Sequence, residues 1–231
     1  MNNGCETMTM EDVIGRIGEI GIVPVVRAAG VEEARQAVDA ILAGGIPAAE
    51  ITMTVPGAIE VIRDLVRQFG GKVLVGAGTV VTREQAEACL EAGAQFLVSP
   101  GFSVEMMRAA QKRGILAIPG ALTPTEVMAA SAEGASLIKV FPCGNVGGPK
   151  YLKALRGPFP RLRIIPTGGV NLSNAADYIA AGAFALGVGS DLVDTAALRQ
   201  GNAQKIVSAA RELVAAVQTA RQAARPVASR G

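Results

Sequence analysis

Short apolar segments alternate with segments of helical periodicity along most of the 231-residue chain. Apolar residues that recur at i, i+3 and i+4 indicate helices, whereas short continuous apolar runs that end at Gly or Pro indicate buried strands. Strands that are apolar on both faces and alternate with helices are typical of a parallel sheet covered by helices. Glycines that end the predicted helices recur about every 20 to 26 residues, the length of one compact strand and helix pair; they are Gly45, Gly71, Gly93, Gly114, Gly134, Gly157 and Gly182.

The pattern predicts eight strands, at residues 21–27, 48–53, 72–77, 95–99, 115–118, 136–141, 163–167 and 184–188. It predicts helices at residues 10–20, 31–42, 58–69, 83–92, 104–113, 124–133, 149–155, 172–181 and 202–221. The expected fold is therefore α/β, a single (β/α)8 TIM barrel with an extra N-terminal helix as a lid under the barrel. The alternative is a doubly wound open sheet, which usually carries a glycine-rich phosphate loop after its first strand, and none follows Arg27.

No linker divides the sequence into two halves, and half of its residues are hydrophobic, enough for one full core. We expect a single domain over residues 1–231, with its core at about 20–198 and a C-terminal helix to about 221. Residues 222–231 contain few large apolar side chains and are expected to form a frayed tail.

Charge and composition limit the partners that the chain can take. The formal net charge is +2, acids and bases are interspersed, and there are two tyrosines and no tryptophan, so nucleic acid is not expected as a partner. The apolar runs are far shorter than the roughly 20 residues that cross a bilayer, and the first ten residues lack the pattern of a signal peptide. We therefore expect no membrane partner and a cytoplasmic location.

The sequence contains no histidine. This excludes a histidine general base, a Ser-His-Asp triad and a histidine-ligated metal, so catalysis would rest on other side chains. The three cysteines, Cys5, Cys89 and Cys143, are odd in number and lack the spacing of metal ligands. They fit reduced thiols in a reducing compartment.

Lys139 stands inside an apolar run of strand character, at residues 135–142. Burial disfavours the charged form of a lysine, which favours a neutral and nucleophilic amine. The alternative is a lysine at a strand end whose head group reaches water or a carboxylate. Every other lysine lies at the start of a strand or among polar residues on predicted helices.

Glu50 is the only carboxylate inside a predicted strand. In a barrel, side chains from alternate strands share a layer, and Glu50 and Lys139 lie on the second and sixth strands. Strand alternation lets each of them point into the barrel, where they could meet. The alternative is a structural ion pair that only offsets the cost of its own burial.

Two small-residue pairs, Gly168-Gly169 and Gly189-Ser190, follow the seventh and eighth strands, where barrels commonly bind phosphate. Glycine permits close approach of backbone N–H groups to an anion. Arg27, at the end of the adjoining first strand, could add a charge-assisted contact. The alternative for each pair is an ordinary turn.

Motifs spread over about residues 20–198 resemble those of the KDPG/KHG aldolases, which act on 2-keto-3-deoxy-6-phosphogluconate or 4-hydroxy-2-oxoglutarate. The resemblance implies a metal-free and cofactor-free class I aldolase on a (β/α)8 barrel that assembles as a homotrimer. The motifs are Glu50-Ile-Thr52, Gly76-Ala-Gly-Thr79, Glu91-Ala-Gly-Ala-Gln-Phe96, Ser99-Pro-Gly101, Ile118-Pro-Gly120, Lys139-Val-Phe-Pro142, Pro166-Thr-Gly-Gly169 and Gly189-Ser190.

The resemblance also implies roles for single residues. Lys139 corresponds to the Schiff-base lysine and Glu50 to the acid/base glutamate of that family. The departure is Thr54, where many members carry an arginine four residues after the glutamate. The substrate-binding residues implied in this way are Thr52, Thr79, Pro100, Phe141, Thr167, Gly168, Gly169, Gly189 and Ser190, with Thr79 and Pro100 forming the pyruvate-binding wall.

The expected reaction is reversible cleavage of 2-keto-3-deoxy-6-phosphogluconate into pyruvate and glyceraldehyde 3-phosphate. The alternative within the same chemistry is an aldolase for 4-hydroxy-2-oxoglutarate or another 2-keto-3-deoxy sugar acid. The alternative from a different class is a non-catalytic binder of phosphorylated ligands or a structural assembly subunit on the same barrel. The presence of both Glu50 and Lys139 argues against the non-catalytic readings.

Overall fold

The computed structural model describes residues 8–224. Its strands are short and fully buried. In chain order they are β1 (Ile22–Val26), β2 (Ala48–Thr52), β3 (Leu74–Gly78), β4 (Phe96–Val98), β5 (Leu116–Ile118), β6 (Gly120–Ala121), β7 (Ile138–Val140), β8 (Ile164–Pro166) and β9 (Leu186–Val188).

Helices precede the first strand and connect the others. They are α1 (Met10–Ile20), α2 (Val31–Ala43), α3 (Ala58–Phe69), α4 (Arg83–Glu91), α5 (Val104–Lys112), α6 (Pro124–Ala132), α7 (Pro149–Arg156), α8 (Ala175–Ala180), α9 (Thr195–Arg199) and α10 (Gln204–Ala224). A threonine caps α1, α4 and α6, and in each case the third helical residue bonds back to the cap, which satisfies backbone N–H groups at the helix start.

The strands form two parallel sheets. The larger sheet has the order β5-β4-β3-β2-β1-β9 and the smaller one has the order β6-β7-β8. All strand pairs are parallel, and helices provide the crossover connections that parallel pairs require. The predicted α/β class is therefore confirmed, with a curled six-stranded parallel sheet as its main element.

Hydrogen bonds also connect the two sheets at their edges. Pro119 separates β5 from β6, and its carbonyl accepts the N–H of Lys139 in the smaller sheet at 2.9 Å. The carbonyl of the neighbouring Ile118 accepts the N–H of Ser99 on the side of the larger sheet at 3.3 Å. At the other edge, the Phe184 N–H donates to the Ile164 carbonyl at 2.9 Å, and an isolated parallel bridge pairs residues 167 and 187.

Two apolar clusters form the core. The larger cluster lies between the strands and the surrounding helices. The smaller cluster combines side chains of several strands, among them Phe96 and Ile165, with Val13, Ile14 and Ile17 of α1. The first helix thus closes one end of the space enclosed by the strands, which is the place that the sequence predicts for it.

Three of the departures from the predicted elements have a clear local cause or an added element. The fifth predicted strand is followed by a short strand that was not predicted, β6, and Pro119 between the two has no backbone N–H to continue a ladder. The helix predicted at 172–181 begins at Ala175, because Asn171 accepts the Ser173 N–H in a turn. The turn before the last helix contains α9, which Asp194 caps by accepting the Ala197 N–H at 2.9 Å.

The last helix continues to Ala224, beyond the predicted end near residue 221. The rest of the predicted tail, and Cys5, lie outside the described residues. Within residues 8–224, no helix combines the length and the apolar character needed to cross a lipid bilayer.

Candidate active site

A lysine and a glutamate lie next to each other at the centres of β7 and β2. The Nζ atom of Lys139 is 3.8 Å from Oε1 of Glu50, and the two side chains are 4% and 3% exposed. The structure therefore brings together the two charged residues that the sequence places in strand interiors. Both side chains have lost most of their water, so the charged form of each depends on the other or on a bound ligand for compensation.

Glycine at the neighbouring strand β3 makes room for the glutamate. An ideal Cβ atom at Gly78 would lie 2.0 Å from Oε1 of Glu50, so only glycine fits beside that carboxylate. Within the described part of the chain, this buried Oε1 atom has no hydrogen-bond partner. A buried acceptor without a partner is costly, and Oε1 is therefore available to accept a hydrogen bond from a bound ligand.

An aromatic ring links the lysine to the first glycine pair. The centroid of the Phe141 ring is 5.2 Å from Lys139 Nζ, within the range of a cation–π contact. An ideal Cβ atom at Gly168 would lie 3.2 Å from the same ring, so the ring packs against the backbone there. The loop after β8 thus lies beside Lys139 rather than at a distant edge.

Three threonines predicted to bind substrate occupy different environments. Thr52 is fully buried, and its hydroxyl donates to the Val26 carbonyl at 3.1 Å and lies 2.6 Å from the Thr54 hydroxyl. Thr167 is buried, and its Oγ1 atom occupies the space that a Cβ at Gly187 would need. Thr79 has a φ of 57°, a conformation that is strained for a β-branched residue and is more common at functional sites.

Pro100 lies where the two sheets meet. An ideal Cβ at Gly120 would be 2.3 Å from the Pro100 carbonyl oxygen, so β6 approaches this segment through a glycine. The Ser99 hydroxyl donates to the Gly101 carbonyl at 2.6 Å and fixes the turn around the proline. This segment follows β4, which pairs directly with β3, the strand before Thr79.

The second small-residue pair lies beside the arginine that follows β1. An ideal Cβ at Gly189 would be 3.2 Å from Arg27 Nη1, so the guanidinium lies against this loop. Ser190 and Arg27 are exposed. Gly168 and Gly169 have φ values of 84° and 78°, which favour glycine at both positions.

The first pair is held by a residue that the sequence analysis overlooked. The Asn174 amide donates to the Gly169 carbonyl at 2.8 Å and accepts the Asn171 N–H at 2.9 Å. An asparagine directly before a helix is a common cap residue, and this signal could have identified Asn174. The described residues contain no cluster of three or more acidic, cysteine or histidine side chains able to hold a metal ion.

The cysteine next to the lysine motif has a structural environment. Cys143 is fully buried and its thiol lies 3.7 Å from the Gly148 carbonyl, to which it donates. Burial raises the pKa of this thiol, which lowers the fraction of reactive thiolate. The geometry is therefore that of a buried structural thiol.

A family model described as KDPG and KHG aldolase matches residues 13–209 of the chain. The chain belongs to the KDPG and KHG aldolase family. Members of this aldolase family are carbon–carbon lyases, and the resemblance seen in the sequence motifs is thus confirmed at the level of the family.

Individual relatives extend the comparison to nearly whole chains. A 2-dehydro-3-deoxy-phosphogluconate aldolase of Dickeya dadantii is 39% identical over 194 residues, which cover 84% of this chain and 91% of the relative. A probable 2-dehydro-3-deoxy-6-phosphogalactonate aldolase of Rhizobium meliloti is 38% identical over 172 residues, 74% of this chain and 81% of the relative. The crystal structure of the KDPG aldolase from Legionella pneumophila, with pyruvate captured as a covalent carbinolamine, aligns with a TM-score of 0.80 at 33% identity, covering 87% of this chain and 97% of that one.

Proposed function

We propose that the protein is a class I aldolase that reversibly cleaves 2-dehydro-3-deoxy-6-phosphogluconate, also named 2-keto-3-deoxy-6-phosphogluconate (KDPG), to pyruvate and glyceraldehyde 3-phosphate. The observation that carries this function is the buried pair of Lys139 and Glu50, with 3.8 Å between Nζ and Oε1. A neutral lysine can add to a ketone, and a carboxylate beside it can move the protons that the reaction requires. The captured carbinolamine in the Legionella relative shows this type of addition in the same family.

In the proposed mechanism, Lys139 passes a proton to Glu50, and its neutral amine adds to the C2 carbonyl of the substrate to form a carbinolamine. Glu50 returns the proton to the carbinolamine hydroxyl, so that water leaves and an iminium ion forms. The C3–C4 bond then breaks, and its electron pair moves toward the iminium nitrogen to form an enamine. Glu50 accepts the proton of the C4 hydroxyl, which releases glyceraldehyde 3-phosphate. Return of that proton to C3 and addition of water to the imine release pyruvate and the free lysine.

The two small-residue pairs and Arg27 are proposed to hold the phosphate. The packing of Phe141 between Lys139 and Gly168 and the contact of Arg27 with Gly189 support this assignment. Backbone N–H groups and a guanidinium are good donors for a phosphate dianion, and each charge-assisted hydrogen bond contributes about 1.5 to 3 kcal/mol. Thr79 and Pro100 are proposed to line the pyruvate side, and Thr52 and Thr167 to complete the polar wall.

We further propose that the two sheets close into one (β/α)8 barrel over a single domain, as the edge hydrogen bonds at Pro119 and Phe184 support. We also propose that the protein assembles as a homotrimer, as the family resemblance implies, and that it is located in the cytoplasm. Their tests are the molar mass in solution and the distribution of the protein after cell fractionation.

The experiment that tests the function is reduction with borohydride in the presence of pyruvate, followed by mass spectrometry. An adduct on Lys139 is expected, and an adduct on another lysine, or none, would refute the mechanism. A companion assay compares kcat/KM for KDPG with that for its unphosphorylated analogue. Two charge-assisted bonds predict a ratio of at least about 10², whereas a ratio near one would favour 4-hydroxy-2-oxoglutarate or an unphosphorylated sugar acid.

A further inference from the structure

A glutamate on the first turn of α2, Glu33, joins the loop between β1 and α2 to helix α9, which is far away in the sequence. Its Oε2 atom accepts the backbone N–H of Ala29, and its Oε1 atom accepts a hydrogen bond from Arg199 Nη1 at 3.0 Å. The Glu33 side chain is only 12% exposed, whereas that of Arg199 is 58% exposed. A carboxylate in this position uses both oxygens for specific contacts.

The loop between β1 and α2, and the segment from Gly189 to α9, flank the site proposed for phosphate. Ala29 belongs to the loop between β1 and α2, which also contains Arg27. Arg199 lies on α9, which follows the loop that starts at Gly189. That second loop is a tight turn, because the Gly189 carbonyl accepts N–H groups of residues 192 and 193 at 3.0 and 2.8 Å. The contacts of Glu33 therefore fix the distance between Arg27 and the turn at Gly189, against which Arg27 lies.

The two arginines at this edge differ in their pairing. Arg199 is neutralised by Glu33. Arg27 forms no ion pair with any residue in the range 8–224, although its Nη1 atom lies against Gly189. The charge that remains available to a dianion is therefore that of Arg27, and its position depends on the loop that Glu33 holds.

We propose that Glu33 is a positioning residue for phosphate recognition, which clamps the β1–α2 loop to α9 through Ala29 and Arg199 and thereby holds Arg27 beside Gly189 and Ser190. This inference rests on the proposed function, and it adds a residue that makes no contact with substrate. The clamp concerns the phosphate alone, since Glu33 is not in contact with Lys139 or Glu50.

The sign of the charge effect makes the proposal testable. Glu33 is an anion near a site for anions, so electrostatics alone predicts that Glu33→Gln strengthens phosphate binding. The substitution also leaves Arg199 without its counter-charge, which acts in the same direction. A loss of phosphate affinity can therefore arise only from lost geometry.

The test measures Glu33→Gln with three readouts: KM for KDPG, the inhibition constant of inorganic phosphate, and the exchange of pyruvate methyl protons with D₂O. We expect KM and the phosphate inhibition constant to rise about tenfold, the equivalent of one charge-assisted hydrogen bond from Arg27. Pyruvate exchange, which involves no phosphate, should stay within about twofold of the wild type.

Glu32→Gln is the matched control, because Glu32 has the same charge on the same helical turn but bonds only to Gln36, at 3.0 Å. A purely structural role of Glu33 would lower the melting temperature and leave both phosphate readouts equal to those of the control, which would refute the proposal. Tighter phosphate binding in Glu33→Gln would refute it as well. If the wild type neither cleaves KDPG nor responds to phosphate, the proposed function itself fails.

A double-mutant cycle that combines Glu33→Gln with Arg199→Gln gives an independent test of the clamp. If the two residues act as one clamp, the double variant should show the same KM for KDPG as Arg199→Gln alone. Additive effects on KM would mean that Glu33 and Arg199 act separately, and the clamp would be refuted even if each single variant weakens phosphate binding.

Discussion

Replacing Glu50 by Gln separates the catalytic role of this carboxylate from a structural one. The amide has nearly the same shape and preserves the packing against Gly78, but it carries no charge and accepts no proton from a substrate. At the observed 3.8 Å, the attraction of the ion pair is about 4 kcal/mol with an effective dielectric constant of 20. Desolvation of two buried ions offsets much of this attraction.

The structural role of Glu50 predicts a change in the free energy of unfolding, whereas the catalytic role predicts a change of similar size in the activation barrier. A structural counter-ion predicts a loss of about 3 to 5 kcal/mol in unfolding free energy, or a melting temperature lower by about 6 to 20 °C, with the rate nearly intact. A proton-transfer group predicts a kcat lower by about 10² to 10⁴, which corresponds to about 3 to 5 kcal/mol in the barrier. We expect the second result. A buried lysine, unlike an arginine, can be neutral, and a neutral lysine needs no structural counter-ion.

The assay combines KDPG cleavage, deuterium exchange into the pyruvate methyl group and thermal unfolding of the same preparation. Glu91→Gln is a suitable control, since Glu91 lies 3.7 Å from Arg113 in an ion pair exposed to solvent. Such exposed pairs contribute about 0 to 1 kcal/mol, so that variant should match the wild type in all three measurements. Wild-type exchange in Glu50→Gln, together with a lower melting temperature, would refute the proton-transfer role.

Three further predictions follow from the same site. Lys139→Arg should abolish both cleavage and borohydride trapping, because a guanidinium stays protonated; residual trapping would contradict this. Gly78→Ala should reduce kcat at least about tenfold, since its Cβ would lie 2.0 Å from Glu50 Oε1, and unchanged kinetics would contradict this. Burial raises the pKa of Cys89 to about 12 and also raises that of Cys143, so iodoacetamide at pH 8 should label neither until the protein unfolds, as peptide mapping can check.

Much of the fold is predictable because its elements are specified locally. The helix caps at Thr9, Thr82 and Thr123 are short-range contacts that the sequence alone can show, because the partner of each threonine lies only three residues further on. The centres of all described strands except β6 were predicted, because each is an apolar run. The ends of the strands were predicted less well, since a strand ends where its neighbour no longer pairs with it, and the pairing partner is distant in sequence.

In the candidate site, too, some residues can be predicted from the local sequence and others depend on contacts between distant segments. Glu50 and Lys139 are conspicuous in the sequence because each is a lone charge in an apolar strand. The contact between Glu33 and Arg199 spans 166 residues and involves two ordinary surface residue types, so no local pattern indicates it. The two candidate catalytic residues are therefore exceptions in their own segments, whereas the contact between Glu33 and Arg199 is recognisable only after the chain has folded.

The hydroxyl of Thr54, at the position where the family resemblance leads us to expect an arginine, has its proton engaged within the protein. Thr52 uses its single hydroxyl proton on the Val26 carbonyl, so in the 2.6 Å contact between the two threonines Thr54 must be the donor. A carboxylate accepts hydrogen bonds and gains nothing from this group unless that contact breaks. Thr54→Val should therefore change the pyruvate KM by less than about twofold. Thr54→Arg should lower it by up to about tenfold, since it adds a charged donor at an exposed position. A tenfold higher KM in the valine variant would show that the threonine does bind the carboxylate.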